Sequence, residues 1–200
     1  MKRFIRVTAS LVFALLLVIS ATACRGNDPT PDTAAPSAPS GPLGNSSAAD
    51  ESLKFSAKDL GGVTVTESVF KDHALTMVNV WGTFCGPCIR EMPELGQLSK
   101  DLESEGFQII GIITDSVAGG FVPINYVLED ARSIILQTGA DYRHLIPSES
   151  LYDRFLQGVS AVPTTFFVDS DGRTIGDPYV GSRSYAQWKA VIDPLLSGIR

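Results

Sequence analysis

The chain has 200 residues, a formal net charge of −6 and 44% hydrophobic residues. This length corresponds to one domain or slightly more. The acidic balance argues against a strong electrostatic grip on nucleic acid, so we expect no nucleic-acid partner. The hydrophobic content is sufficient for a core, which excludes a chain that is disordered throughout.

Residues 1–23 have the pattern of an export signal. Three basic residues precede an uninterrupted apolar run at residues 11–19, and small residues follow directly before Cys24. This order is typical of a secretory signal peptide. The apolar run is short for a bilayer span, so a retained membrane helix is the weaker alternative. Removal of the signal leaves 13 basic and 22 acidic residues, a net charge of −9.

Cys24 resembles the cysteine of the lipobox in bacterial lipoproteins, although Ala21 stands where leucine is usual. The resemblance implies that Cys24 becomes the lipid-modified N-terminus of the mature chain. We therefore expect a lipid anchor on the extracytoplasmic face of a bacterial cell membrane. The alternative is an ordinary signal peptide cleaved nearby, with no modification of Cys24.

Residues 24–50 contain the anchor cysteine and a linker that is rich in proline, serine and alanine. Five of the twelve prolines lie here and no aromatic residue does. Such a segment buries too little apolar surface to offset the entropy cost of ordering, so we expect a disordered tether. The folded domain is then predicted at residues 51–200.

Apolar periodicity and turn residues predict the elements of this domain in chain order. The predicted elements are a β-hairpin at 54–57 and 63–66, a strand at 75–80, a helix at 88–103, a strand at 107–114, a glycine-rich loop at 115–123, a helix at 127–138, a short strand at 144–146, a short helix at 149–156, a hairpin at 164–168 and 173–175, and a helix at 185–196. The order indicates an α/β fold: a mixed central sheet flanked by helices, with an N-terminal β-hairpin extension. The glycine-rich loop either reaches the rim of the active site or is a plain surface loop.

Cys85 and Cys88 form a C-x-x-C motif between a predicted buried strand and a helix, which favours thiol–disulfide exchange. Cys85 would lie where the helix begins, and free N–H groups and the helix dipole stabilise a thiolate there. The thiolate is the nucleophile, and Cys88 is near enough to attack a mixed disulfide formed at Cys85. Pro87 suits the first turn, where its missing N–H costs nothing.

Two other interpretations of the cysteine pair are weaker. A structural zinc site needs four ligands, and beyond the pair the chain offers only His73, His144 and Cys24, so we expect no metal. An inert structural disulfide of an exported protein would close only a very small loop and stabilise little.

The motif and its surroundings resemble thioredoxins, and among them the ResA/TlpA-type membrane-anchored extracytoplasmic thiol–disulfide oxidoreductases. The resemblance covers roughly residues 53–196 and rests on segments 79–88, 91–93, 162–169 and 171–172. It implies a thioredoxin fold, a redox-active Cys85–Cys88 disulfide and no bound cofactor. Phe84 departs from the family, which commonly has tryptophan before the first cysteine.

The same resemblance implies further site residues. Glu91 would accept a proton from Cys88; without the resemblance, a solvated glutamate near a helix start is the simpler interpretation. Pro163 would be a cis-proline facing the cysteines, and Val162 would pair with bound substrate through its backbone. Trp81 and Phe84 would line the substrate groove, although packing explains Trp81 equally well.

We therefore expect a monomeric enzyme that reduces protein disulfides through a Cys85–Cys88 dithiol cycle. The Gly-Pro between the cysteines matches thioredoxin, with a potential of about −270 mV, which favours reduction. The resemblance implies apocytochrome c as a substrate and a membrane thiol transporter of the CcdA/DsbD type as electron donor. Alternatives are an electron donor to a methionine sulfoxide reductase, a thiol peroxidase, or a non-catalytic binding or chaperone lipoprotein.

Overall fold

The computed structural model of the protein describes residues 54–199. The predicted signal at 1–23, Cys24 and the linker lie outside the described residues, so those predictions stay predictions. Within residues 54–199, no helix combines the length and the apolar character that crossing a membrane requires.

The described chain alternates strands and helices in the order that the sequence predicts. The strands are β1 (Ser56–Asp59), β2 (Thr64–Thr66), β3 (Leu75–Trp81), β4 (Phe107–Ile113), β5 (Val117–Ala118), β6 (Val122–Pro123), β7 (Arg143–Ile146), β8 (Thr164–Asp169) and β9 (Thr174–Val180). The longer helices are α1 (Gly86–Leu102), α2 (Asn125–Thr138) and α3 (Tyr185–Ile199). Short 3-10 turns occupy Glu67–Phe70 and Glu103–Glu105.

Seven strands form one mixed sheet in the order β2-β1-β7-β4-β3-β8-β9. The central pairs β3–β4 and β4–β7 are parallel, whereas β8 and β9 run antiparallel and close one edge. The β1–β2 hairpin extends the opposite edge by pairing β1 with β7. The predicted mixed sheet with an N-terminal hairpin extension is thus confirmed.

The central strand β3 is buried along its whole length, because both faces of the sheet are covered. Val78 and Val80 point into an apolar cluster with Phe55, Phe70 and other residues on one face. The alternate positions of β3 point to the other face, where they pack against α1 and α3. Since the carboxyl end of β3 leads directly into α1, the rigid centre of the sheet fixes the start of this helix.

Several predicted boundaries differ from the structure; the last strand, for example, runs Thr174–Val180 and not 173–175. Helix α1 begins at Gly86 and not at Cys88, because Cys85 already caps it. The loop at 115–123 contains a small hairpin, β5–β6, whose turn uses Gly120 at φ 73°. The short helix at 149–156 is one α-helical turn followed by a π-helical turn at Tyr152–Leu156.

Candidate active site

The two cysteines of the C-x-x-C motif form a disulfide at the N-terminus of α1. Cys85 is the N-cap residue, and its sulfur accepts a hydrogen bond from the Cys88 backbone N–H at 3.2 Å. An N-cap acceptor satisfies one of the free N–H groups of the first helical turn. Cys85 is 5% exposed and Cys88 1%, so the first sulfur is the one that a partner can reach.

The loop before Cys85 is held by an acidic side chain from the neighbouring strand. Asp115, just after β4, accepts a hydrogen bond from the Thr83 backbone N–H at 3.1 Å and a second from the Thr83 hydroxyl. The Cys85 N–H closes a turn on the Gly82 carbonyl at 3.0 Å. These bonds set the direction in which the chain enters α1, and therefore the position of the Cys85 sulfur.

Phe84, directly before Cys85 in the chain, presents its ring to solvent. The side chain is 72% exposed, which is unusual for so large an apolar group. Its ring lies over Gly82, where an added Cβ would come within 2.6 Å of the ring. The aromatic surface expected at this position is therefore present, with phenylalanine in the place of tryptophan.

The segment before β8 lies against the cysteine pair. The Val162–Pro163 peptide bond is cis, as the resemblance implies. The Val162 carbonyl oxygen lies 3.6 Å from Cys85 Sγ, and the Pro163 carbonyl accepts from the Gly181 N–H at 2.9 Å. Val162 is half-buried and Pro163 is buried. The structure thus brings the Val162 carbonyl to the Cys85 sulfur, and the cis-proline follows it directly in the chain.

Trp81 lies in the core and does not line a groove. Its side chain is completely buried, in the apolar cluster that contains both cysteines. The indole Nε1–H donates to His144 Nδ1 at 3.1 Å. The expectation that Trp81 contacts substrate is corrected here, and packing, the alternative named for it, describes its position. Trp81 packs in the same buried cluster as Cys85 and Cys88.

His144, to which the sequence analysis assigned no role, is the polar partner of Trp81 in this cluster. It is 3% exposed, and its Nε2 lies 3.0 Å from the Ala140 carbonyl. Because Nδ1 accepts from Trp81, these partners assign the proton to Nε2, which donates to Ala140. Burial lowers the pKa of His144 from its ordinary value of 6.5 to about 4. The imidazole is therefore neutral at physiological pH.

Glu91 is buried on α1, three residues after Cys88, and is not the solvated glutamate of the simpler interpretation. Its Oε1 accepts from the Arg183 backbone N–H at 2.8 Å and from Trp188 Nε1 at 2.6 Å. Its Oε2 is buried without a hydrogen-bond partner. Burial raises the pKa of Glu91 more than the two N–H donors, the Arg183 charge and the Asn79 side chain lower it.

A polar row crosses the sheet beneath the first half of α1. Asn79 pairs with Gly111 in β4 and with Thr165 in β8, and Gly111 pairs with His144 in β7. Asn79 Nδ2 donates to Thr165 Oγ1 at 3.1 Å. Gly111 leaves room for the imidazole, because an added Cβ would lie 2.3 Å from His144 Nδ1. The row is buried and supports the site from the sheet side.

Three residues of the site were missed by the sequence analysis. Asp115 follows a buried strand at its carboxyl end, which was a usable signal. Arg183 places its guanidinium over the rings of Tyr179 and Trp188, at 5.0 Å from each centroid, and its N–H holds Glu91. Neither Arg183 nor His144 belongs to a sequence motif, since both act through contacts that only the tertiary fold creates.

Within the described residues, no cluster of three or more histidine, cysteine or acidic side chains could hold a metal ion. The cysteine sulfurs are joined to each other, and His73 and His144 do not approach them as a ligand set.

A strand-to-helix C-x-x-C, a cis-proline opposite it and a mixed sheet between helices define a thioredoxin-fold protein. The chain belongs to the AhpC/TSA family, whose model matches residues 48–175. A crystal structure of a thioredoxin family thiol:disulfide interchange protein from Chlorobium tepidum TLS shares the fold, with a TM-score of 0.60 and 25% identity over 72% of this chain and 93% of that one.

The sequence relatives are likewise named for thiol–disulfide exchange. Thiol-disulfide oxidoreductase ResA of Bacillus thuringiensis subsp. konkukian is 30% identical over 127 residues, which is 62% of this chain and 65% of the relative. Thiol:disulfide interchange protein HelX of Rhodobacter capsulatus is 28% identical over 133 residues, 66% of this chain and 67% of the relative. The match to ResA thus spans slightly less than two thirds of that protein's length.

Proposed function

We propose that this protein is a thiol–disulfide oxidoreductase that acts mainly as a reductase of protein disulfides. The observation that carries the proposal is the Cys85–Cys88 pair, with Cys85 at the N-cap of α1 and its sulfur accepting the Cys88 N–H at 3.2 Å. The names of the relatives, thiol-disulfide oxidoreductase and thiol:disulfide interchange protein, support the same chemistry.

The first step is attack by the reduced Cys85 thiolate on one sulfur of a substrate disulfide. A new Cys85–substrate S–S bond forms, the substrate S–S bond breaks, and the leaving sulfur departs as a thiolate that takes up a proton. The start of α1 favours the thiolate form of Cys85, because the helix dipole and the Cys88 N–H both stabilise negative charge there.

The second step is attack by Cys88 on Cys85 Sγ. The Cys85–Cys88 bond forms, the mixed disulfide breaks, and the second substrate thiol leaves, so the substrate gains two electrons and the protein loses two. Cys88 must lose its proton first. We propose Glu91 as the acceptor: its Oε1 is occupied by two N–H donors, and its Oε2 is the oxygen left to hold a proton.

We place this activity on the extracytoplasmic face of a bacterial membrane, anchored through a lipid on Cys24. A donor of the CcdA/DsbD type would return two electrons to the Cys85–Cys88 disulfide. The family resemblance supports apocytochrome c as one substrate, and a methionine sulfoxide reductase is the alternative electron acceptor. The signal pattern before Cys24 supports the location.

The decisive experiment is a trap. In Cys88→Ser the first step proceeds and the second cannot, so mixed disulfides on Cys85 should accumulate in the cell envelope, where mass spectrometry identifies the trapped proteins. Cys85→Ser is the matched control, because it keeps one thiol and loses the attacking one.

If Cys88→Ser traps nothing beyond the control, the exchange function is excluded. Peroxide consumption by the wild-type protein without any protein disulfide would instead support the thiol peroxidase alternative. Unchanged function of Cys85→Ser in cells would support the non-catalytic binding alternative.

A further inference from the structure

A cleft of about 690 Å³ lies next to the active site, between the β5–β6 hairpin and the segment before β8. Phe84 and Val162 belong both to this cleft and to the active site, and the Val162 carbonyl lies 3.6 Å from Cys85 Sγ. A substrate chain that reaches Cys85 therefore places the residues beside its own cysteine at the mouth of this cleft.

Among the described residues 54–199, those that line the cleft include no charged side chain. In a chain with 38 charged residues among 200, this is a marked departure from the surrounding surface. Its polar groups are hydroxyls, from Thr114, Tyr152 and Ser160, and the remainder is aliphatic, aromatic or backbone. No described residue of the lining would neutralise a charge that entered, so a charged residue would lose hydration without compensation.

Aromatic side chains form two sides of the opening. Phe84 stands exposed at one side, and the Phe121 ring meets the Tyr152 ring at 6.0 Å on the other. Phe121 takes a left-handed backbone conformation, φ 58°, which is rare for a bulky residue and follows Gly120 at φ 73°. The hairpin turn thus projects its aromatic side chain toward Tyr152.

We infer that this cleft selects substrate disulfides whose cysteine is flanked by an uncharged aromatic or aliphatic residue. The inference rests on the proposed function and adds a substrate class to it. An apolar side chain gains from leaving water in such a cleft, whereas an acidic or basic one loses. The glycine-rich segment 115–123 is accordingly part of the substrate site and not a plain surface loop.

The test uses the reduced protein and short peptides closed by a disulfide, identical except for the residue beside one cysteine: Phe, Leu, Asp or Lys. Reduction by dithiothreitol corrects each rate for the intrinsic reactivity of the peptide. We expect kcat/KM to be at least about tenfold higher for the Phe and Leu peptides than for both charged ones. Equal corrected rates across the four peptides would overturn the inference.

Charge placed in the cleft should redirect this selectivity. Ala118 lines the cleft and is exposed, so Ala118→Glu should improve the Lys peptide relative to the Asp peptide, and Ala118→Lys should do the reverse. Leu136 is 81% exposed on α2 and is not among the lining residues, so Leu136→Glu is the matched control and should leave the ratios unchanged. The wild-type peptide series stands as a test by itself if either Ala118 variant fails to fold.

Reduction of a small neutral disulfide, bis-hydroxyethyl disulfide, tests the proposed exchange function separately from this inference. If the protein reduces it but treats all peptides alike, the cleft has no selective role and the exchange function stands. If the protein reduces neither the small disulfide nor any peptide, the proposed function falls and the inference with it.

Discussion

Trp81 Nε1 donates to His144 Nδ1 at 3.1 Å in the buried layer directly beneath the cysteine pair. The two rings meet edge to face, with centroids 5.5 Å apart. Because the second imidazole nitrogen is engaged by Ala140, His144 has one neutral tautomer that satisfies both partners. The support beneath Cys85 and Cys88 therefore depends on a group that can be protonated.

His144 should make the protein sensitive to acid. In the unfolded chain His144 is protonated below about pH 6.5, whereas the buried imidazole of the folded protein is protonated only below about pH 4. The contribution of neutral His144 to the free energy of unfolding is complete above pH 6.5. It falls by about 3 kcal/mol as the pH falls toward 4. Urea unfolding at pH 7 and pH 4 measures this loss. In His144→Leu the difference between the two pH values should shrink by a similar amount, and an unchanged difference would contradict the prediction.

Glu91 should give the opposite pH dependence. Its pKa is raised in the folded state, so its contribution to stability is complete below pH 4.5 and is lost as the pH rises through the folded pKa. Glu91→Gln keeps an acceptor for Arg183 and Trp188 but removes the charge. The variant should gain stability relative to wild type at pH 8 and not at pH 4, as measured by unfolding at both values.

Glu91→Gln should also slow the resolving step. If the carboxylate accepts the Cys88 proton, its loss should reduce the rate of mixed-disulfide release roughly 10²-fold at neutral pH. The first step at Cys85 should change little. Stopped-flow measurement with a fluorescent mixed disulfide separates the two phases, and an equal slowing of both would assign Glu91 a structural role only.

Gly111 should tolerate no side chain. An added Cβ would meet His144 Nδ1 at 2.3 Å and Trp81 Nε1 at 3.1 Å. Gly111→Ala should therefore cost about 1–3 kcal/mol of stability, the usual cost of overpacking a core. Gly119→Ala is the control, because nothing lies within 4 Å of its added Cβ, and its free energy of unfolding should stay within about 0.5 kcal/mol of wild type.

Asp115 should hold the loop that precedes Cys85. Asp115→Ala removes the acceptor for the Thr83 N–H and hydroxyl, and should cost about 2 kcal/mol, since hydrogen bonds to charged groups contribute about 1.5–3. Asp115→Asn retains one oxygen acceptor and should lose about half as much. Thermal unfolding compares them. Equal losses in both variants would show that the carboxylate charge matters and the geometry does not.

Cys24 should decide where the protein resides. With Cys24→Ser the protein should move from the membrane fraction to the soluble envelope fraction, because stable anchoring requires the acyl chains. Incorporation of a labelled fatty acid should disappear in the same variant. Retention of the variant in the membrane fraction would favour an uncleaved apolar segment at residues 11–19.

The elements of the fold could be predicted well because their signals are local. The apolar run of β3, the helical spacing after Cys88 and the closing glycines at 106 and 139 each act within a few residues. The β5–β6 hairpin could not be predicted, since two-residue strands leave no periodicity. The π-helical turn at Tyr152–Leu156 has no distinguishing pattern either.

The cysteine chemistry of the site could also be predicted because its signal is local. The contacts that surround the cysteines could not. Cys85 and Cys88 are close in sequence, whereas the contacts of Glu91 with Arg183 and Trp188 join residues more than ninety positions apart. The sequence alone could not decide whether Trp81 lines the substrate groove or packs in the core. Its position in a strand with both faces covered decides the matter instead.

The chain has two tryptophans, and each donates its indole N–H to a buried group that titrates: Trp81 to His144 and Trp188 to Glu91. The intrinsic fluorescence of the protein is consequently a built-in indicator of both protonation events. An emission change near pH 4 would report on the imidazole, and a second change at higher pH would report on the carboxyl group, without any added dye.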